Sequence, residues 1–185
     1  MPLDVHTLDI ITYPADVLRT KAQPIDPADP DVARVALRMI EIMHRLEGIG
    51  LAAPQIGLPW RLFVCHVPED PERQRSAASD PPSATTAPLI CINPVLSTYS
   101  QDRETFSEGC LSLPEIRGEV IRPIAVTMRA LDPRGHTIER RAQGLLARCW
   151  QHETDHLDGI LILDRMTQLS RLKNRQRVRE MERSA

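Results

Sequence analysis

An α+β domain with antiparallel sheet is the architecture this sequence predicts, and three observations predict it. Strand-length apolar runs at residues 61–67, 89–95, 125–131 and 137–142 are joined by turns and loops, not by the helices that parallel crossovers require. Helix-period apolar positions fall in separate segments near 30–47, 145–156 and 167–183. A hydrophobic content of 42% with 26% charged residues supports one full-sized core, so a single domain over residues 1–185 is expected.

The composition also bounds function. Aromatics make up only 3%, so Leu, Ile, Val, Met and Ala must fill the interior. A net charge of -2 argues against a whole surface made for DNA or for membrane. The first ten residues show no basic-plus-apolar leader, and no apolar run reaches about 18 residues. A cytoplasmic setting is therefore expected, in which Cys65, Cys91, Cys110 and Cys149 are thiols or ligands rather than disulfides.

In chain order, residues 8–13 read as a short strand that Tyr13-Pro14 ends, and residues 16–21 as a turn of helix before a Pro-rich connector. Asp29-Pro30 is a helix start, with an acceptor at the N-cap and proline at the first helical position. Val32, Val35, Ala36, Met39, Ile40 and Met43 then recur at helical spacing, and Gly48 is expected to stop the helix. In Gly48-Ile49-Gly50-Leu51-Ala52-Ala53-Pro54-Gln55 the small residues mark a backbone that something approaches closely; a tight turn into a strand suffices to explain them. Residues 68–88 are polar, rich in Pro and Ser and without period, which predicts an exposed mobile loop. After Asn93-Pro94 a polar stretch over 97–106 leads into Glu108-Gly109-Cys110-Leu111-Ser112, where the cysteine alone reads as a core residue. Asp132-Pro133-Arg134-Gly135 is a turn between two strands. Gly159 ends the helix over 145–156, residues 160–163 are short and apolar, and a basic helix closes the chain.

Chemistry concentrates in Gln151-His152-Glu153-Thr154-Asp155-His156. His152 and His156, four apart, share one helix face one turn apart, where two imidazoles can bind one divalent metal. Glu153 lies beside that face, placed for a general base rather than a ligand, in the H-E-x-x-H arrangement. The pattern alone could be chance, because it lacks a third ligand.

Three separated stretches together supply it. Residues 48–55, residues 108–112 and residues 151–156 resemble, in order, the three signature motifs of the peptide deformylase family. Tyr13-Pro14 with Val17-Leu18-Arg19, Ile92-Asn93-Pro94 and Ala130-Leu131-Asp132 resemble its flanking residues. The resemblance implies antiparallel sheets packed around a central helix that carries H-E-x-x-H, with an N-terminal and a C-terminal helix. It implies removal of the formyl group from the N-terminal formylmethionine of new proteins, releasing formate. By matching position Cys110, His152 and His156 would hold one divalent metal, Fe(II) physiologically, with Zn, Ni or Co as alternatives. Glu153 would be the catalytic carboxylate, and Gln55 with the Leu111 N–H would face the formyl oxygen. Gly48 and Gly50 would pair with substrate backbone, Gly50 within the catalytic set. Ile49, Phe106, Leu145, Cys149 and the His152 ring edge would line the methionine pocket, and Arg117 would lie near the peptide. Arg148 falls at a pocket position that is apolar in some relatives; its stem is expected to pack while its head reaches water. Glu108 and Arg122 would form a buried ion pair supporting the cysteine segment.

These residue types suit the reaction. A formamide is a weak electrophile, so a metal that makes hydroxide available near neutral pH is needed, and three protein ligands leave a position open for water. A thiolate with Fe(II) predicts loss of activity in air. The last helix carries Arg171, Lys173, Arg175, Arg177, Arg179 and Arg183; a solvated basic face is the plain reading, and a ribosome contact the sharper one. Two rivals stand. One is an H-E-x-x-H metallopeptidase, against which the cysteine ligand argues. The other is a non-catalytic zinc module in which Cys149 joins Cys110 and both histidines.

Overall fold

A computed structural model describes residues 3–183. Helix α1, Pro30–Arg45, begins where Asp29 accepts a hydrogen bond from the Asp31 N–H at 2.9 Å and Pro30 needs no donor partner. Its apolar face, Val35, Met39, Ile42 and Met43, is fully buried, each side chain contributing about 1.5–3 kcal/mol. The helix stops at Glu47, which takes a positive φ of 54°, while the Gly48 N–H donates back to Met43 O at 2.9 Å. The expected stop at Gly48 is thus one residue late: a non-glycine turns the chain.

Five antiparallel strands form the main sheet in the order β1-β2-β3-β6-β7: β1 Gly50–Ala52, β2 Leu62–Cys65, β3 Leu89–Ser97, β6 Ala125–Leu131 and β7 Thr137–Gln143. Strand β2 is buried on both faces because its period-two alternation serves two cores. Leu62 and Val64 pack under α1, whereas Phe63 and Cys65 face the opposite side with Cys91, Val126 and Met128. Against that second face lies α2, Gly144–Leu157, through Leu146, Ala147, Cys149 and Trp150.

A two-stranded sheet covers α2 from the other side: β4 Arg103–Cys110 and β5 Leu113–Pro123. The short helix α3, Ile162–Arg165, and the last helix α4, Gln168–Arg183, complete the fold; α4 packs on β5. The expected α+β architecture with a central histidine-bearing helix is what the chain adopts.

Three expectations differ. Residues 8–13 form no strand; Ile11 N–H donates to Gln55 O at 2.7 Å and Tyr13 N–H to Ser112 O at 2.9 Å. The segment bridges two different loops, so it cannot run a ladder with either. Strands β4 and β5, which the residue pattern does not announce, extend from within the polar stretch to Pro123. The 68–88 segment is a loop, but residues 83–85 are buried: Thr85 N–H donates to Val67 O at 2.7 Å and Ala84 enters the core. Pro81 O accepts from Gln143 Nε2 at 2.8 Å and Pro82 O from the Gln143 N–H at 3.0 Å, tying this loop to the start of α2.

Candidate metal centre

Helix geometry alone brings His152 and His156 together, with Nε2 atoms 3.2 Å apart and ring centroids 4.9 Å apart at 72°. Cys110 arrives from the end of β4, where the register with β5 slips between Gly109 and Cys110, and its Sγ lies 3.3 Å from His156 Nε2. Among the described residues these three form the one group whose ligand atoms all lie within 4.8 Å of one another. A tetrahedral ion with metal–sulfur and metal–nitrogen bonds of about 2.3 and 2.0–2.1 Å spaces its donors by roughly 3.3–3.6 Å. The residues fit such an ion, and thiolate with imidazole suits Fe, Zn, Co or Ni. Cys149 is outside the group: its thiol donates to Ile49 O at 3.4 Å. The closed Cys2His2 module is therefore ruled out by geometry.

Burial lowers the pKa of both imidazoles, but His152 gains more than it loses from hydrogen bonds to Cys110 and Glu108 and rises well above the usual value. His156 falls well below it, through burial and the charge of His152. Two rings this close are not both imidazolium, and His152 is the one whose surroundings favour the added proton.

Glu153 is buried, and its Oε2 has no hydrogen-bond partner among the described residues. Burial pushes its carboxyl up to about 7, against the opposing charge of His152. Gly50 makes room for it: a Cβ there would stand 2.3 Å from Glu153 Oε1. Gln55 is held from both ends, its Oε1 accepting from the Ala52 N–H at 2.9 Å and its Nε2 donating to Ser112 Oγ at 3.2 Å. That amide nitrogen lies 3.5 Å from Cys110 Sγ, so a donor is pre-set at the edge of the centre.

Behind His152 lies a buried ionic network. Glu108 Oε2 is 3.0 Å from His152 Nδ1 and orients the ring. Arg122 donates to Glu108 through Nε at 2.7 Å and Nη2 at 3.0 Å, and its Nη1 reaches Asp155 Oδ2 at 2.8 Å. Arg165 closes on Asp155 at 2.6 Å.

The remaining expected residues are placed as follows. Ile49 and Leu145 pack against the core around Cys149, Phe106 is exposed on β4, and Leu111 packs beside α1. Gly48 lies against Leu111, and the Arg117 side chain crosses Gly109, where a Cβ would meet its Nη1 at 2.9 Å. Arg148 is the correction: its head does not reach water. The residue is only 6% exposed, and Nη1 donates to Glu108 Oε1 at 2.8 Å and Val120 O at 3.1 Å, Nη2 to Glu104 O at 2.8 Å. Sequence reasoning missed Ser112, Asp155 and Arg165. A carboxylate beside the second histidine on a helix destined for burial was the available signal for Asp155, since a buried charge demands a partner.

A helix-borne histidine pair completed by a strand cysteine, with a buried carboxylate alongside, defines a hydrolase centre of the H-E-x-x-H class. A family model described as polypeptide deformylase matches residues 7–172, and the chain belongs to that family: it is a hydrolase acting on N-formylmethionyl peptides. The peptide deformylase of Rhizobium meliloti (strain 1021) is 41% identical over 162 residues, 88% of this chain and 86% of that protein. That of Desulforudis audaxviator (strain MP104C) is 38% identical over 89% of this chain and 96% of its own. Among solved structures, the peptide deformylase of Ehrlichia chaffeensis superposes with a TM-score of 0.83 at 33% identity, covering 96% of this chain and 97% of that one. The Thermotoga maritima enzyme gives 0.76 at 35% identity, covering 88% and 99%. The family is metal-dependent, and Cys110, His152 and His156 are a group that could bind the ion. Family membership sets the metallopeptidase alternative aside.

Proposed function

We propose that this chain, acting as one domain over residues 1–185, deformylates nascent proteins at their N-terminal formylmethionine and releases formate through a centre held by Cys110, His152 and His156. The observation that carries the reading is the convergence of that donor set with Glu153 and Gln55 from three separate segments. Held by Cys110, His152 and His156, a divalent ion would supply the Lewis acidity that water attack on a formamide needs near neutral pH. Fe(II) is the proposed physiological ion, with Zn, Ni or Co as substitutes. Glu153 takes the proton of the attacking water and passes it to the departing amine, a task suited to a carboxyl pushed up to about 7. Gln55 Nε2 and the Leu111 N–H donate to the formyl oxygen as charge builds on it.

The segment Gly48–Gly50, leading into β1, aligns the substrate backbone, and Ile49, Phe106, Leu145, Cys149 and the His152 ring edge receive the methionine side chain. Arg117 lies along the peptide path, while the Glu108–Arg122 pair holds His152 in orientation. The enzyme acts in the cytoplasm, where chains emerge. Exposed cations on α4, among them Arg171, Lys173, Arg175, Arg179 and Arg183, face outward for a ribosome contact. No helix of the described residues is long and apolar enough to cross a membrane.

Metal analysis with a formate-release assay tests the core of this. Glu153→Gln is expected to keep its metal and lose turnover by roughly 10²–10⁴. Retained turnover would remove Glu153 from the mechanism, and a wild type that leaves formyl-Met-Ala-Ser intact would end the reading. Reversing three α4 arginines to Glu should abolish cosedimentation with ribosomes while sparing peptide activity; unchanged cosedimentation defeats the ribosome contact.

A further inference from the structure

Arg148 occupies a helix position directly before the two core residues Cys149 and Trp150, and it is buried as deeply as the acid it faces. Its guanidinium ties three elements together: Nη1 bonds Glu108 Oε1 and Val120 O, Nη2 bonds Glu104 O, and Cζ lies 5.4 Å from the Phe106 ring centroid. Glu108 already receives a two-pronged Arg122, so one carboxylate carries two buried guanidinium groups. The same carboxylate is the only described partner of His152 Nδ1.

A carboxylate behind a ligating imidazole raises its donor strength, and any cation bound to that carboxylate takes part of the effect away. One arginine neutralises Glu108. The second, Arg148, adds its own charge; Glu104, whose carboxylate lies 3.8 Å from Arg148 Nη2, brings the network with Asp155 and Arg165 to balance, but the Glu104 side chain is 58% exposed while Arg148 and Glu108 are buried. Water screens the Glu104 carboxylate, whereas the Arg148–Glu108 contact at 2.8 Å is buried, so the guanidinium draws on Glu108 more than Glu104 offsets it. It stands behind His152, on the side away from the thiolate of Cys110.

We propose that Arg148 is a positioning residue that tunes the metal centre through Glu108 and His152, weakening cation affinity while keeping the bound cation strongly electron-accepting. This rests on Cys110, His152 and His156 holding the metal. A purely structural role would need the hydrogen bonds to Glu104 O and Val120 O and the pairing with Glu108, and would leave the metal's affinity and spectrum unmoved. The proposed role requires the charge.

The test titrates cobalt(II) into metal-free wild type, Arg148→Gln and Arg148→Lys against a competing chelator, and records the thiolate-to-cobalt charge-transfer band. Gln keeps donors without charge; Lys keeps charge without the fork. Arg148→Gln is expected to bind cobalt roughly tenfold more tightly, the lower end of what outer-sphere partners change, with the band moved to higher energy. Arg148→Lys is expected to stay near wild type on both measures. Should the Gln variant fail to fold, Arg148→Met supplies the neutral arm by filling the stem's volume. Equal affinity and an unmoved band in neutral and charged variants overturn the proposal, as does weaker binding in a folded neutral variant. A wild type that binds cobalt without any thiolate band instead refutes the ligand assignment itself.

Discussion

Replacing Gly50 by Ala tests the site's geometry most directly. The added methyl would stand 2.3 Å from Glu153 Oε1, 2.7 Å from its Cδ and 2.8 Å from Cys149 Sγ. Since ordinary contact begins near 3.4 Å, the carboxylate or β1 must retreat by about 1 Å. Neither has slack: Glu153 is 4% exposed, and β1 is buried along its length. Overpacking of this kind costs about 1–3 kcal/mol of stability. A catalytic group misplaced by about 1 Å costs roughly 10²-fold in rate. Formate release from formyl-Met-Ala-Ser, with kcat and KM separated and metal content and Tm measured alongside, should show kcat reduced about a hundredfold. Metal content should hold, because the three nearest atoms belong to Glu153 and Cys149, not to Cys110, His152 or His156. Adding Cys149→Ala removes the sulfur contact and leaves the carboxylate clash, so turnover should stay low. A kcat within about threefold of wild type in the fully metallated single variant would refute the placement of Glu153 against Gly50.

Three further outcomes are expected. Gln55→Leu removes the pre-set amide donor and should cost about 3 kcal/mol in kcat, with KM little changed; a pure KM effect would mean the amide binds substrate instead. Burial works to raise the Glu108 carboxyl, yet hydrogen bonds from His152 and Arg122 and their charge hold it well below the usual range. Its pairing therefore stabilises the fold above the unfolded carboxylate value and is lost as pH falls through the lower folded one. Glu108→Gln should cost about 3–5 kcal/mol at neutral pH by urea unfolding. That gap should shrink below about pH 4.3, and a gap unchanged down to pH 3 would show that Glu108 is not charged in the fold. Stripping the metal should abolish formate release and lower Tm, with Fe(II) restoring both under anaerobic conditions and air removing activity again; undiminished activity after complete removal would end the metal-dependent reading.

What could be read from residues alone depended on how local the determinants are. The α1 face and the histidine spacing are short-range and were legible, because a helix dictates which residues share a side. Strand β5 was not: its inward positions are Leu113, Ile116, Gly118, Val120 and Arg122, and a glycine and an arginine among them hide the alternation. Strand β4 places Thr105, Phe106 and Ser107 outward in succession, which reads as a loop. The burial of Arg148 escapes the sequence for a related reason. Its acceptors come from two strands that went unrecognised, so nothing near it in the chain announced that a guanidinium could be satisfied inside. Cys110 became identifiable only in combination, since a lone cysteine beside a glycine carries no chemistry until its partners are placed.

The hydrogen bonds from Ile11 to Gln55 and from Tyr13 to Ser112 have a bearing on assembly. Both cinch working loops to the chain's opening stretch, the second across about 100 residues of intervening polypeptide, the kind of long-range closure that forms late and slowly. Ile11 and Tyr13, synthesised earlier, must thus wait for the middle of the molecule before they find their seats. Until that knot is drawn, Gln55 and the Cys110 segment lack a common anchor.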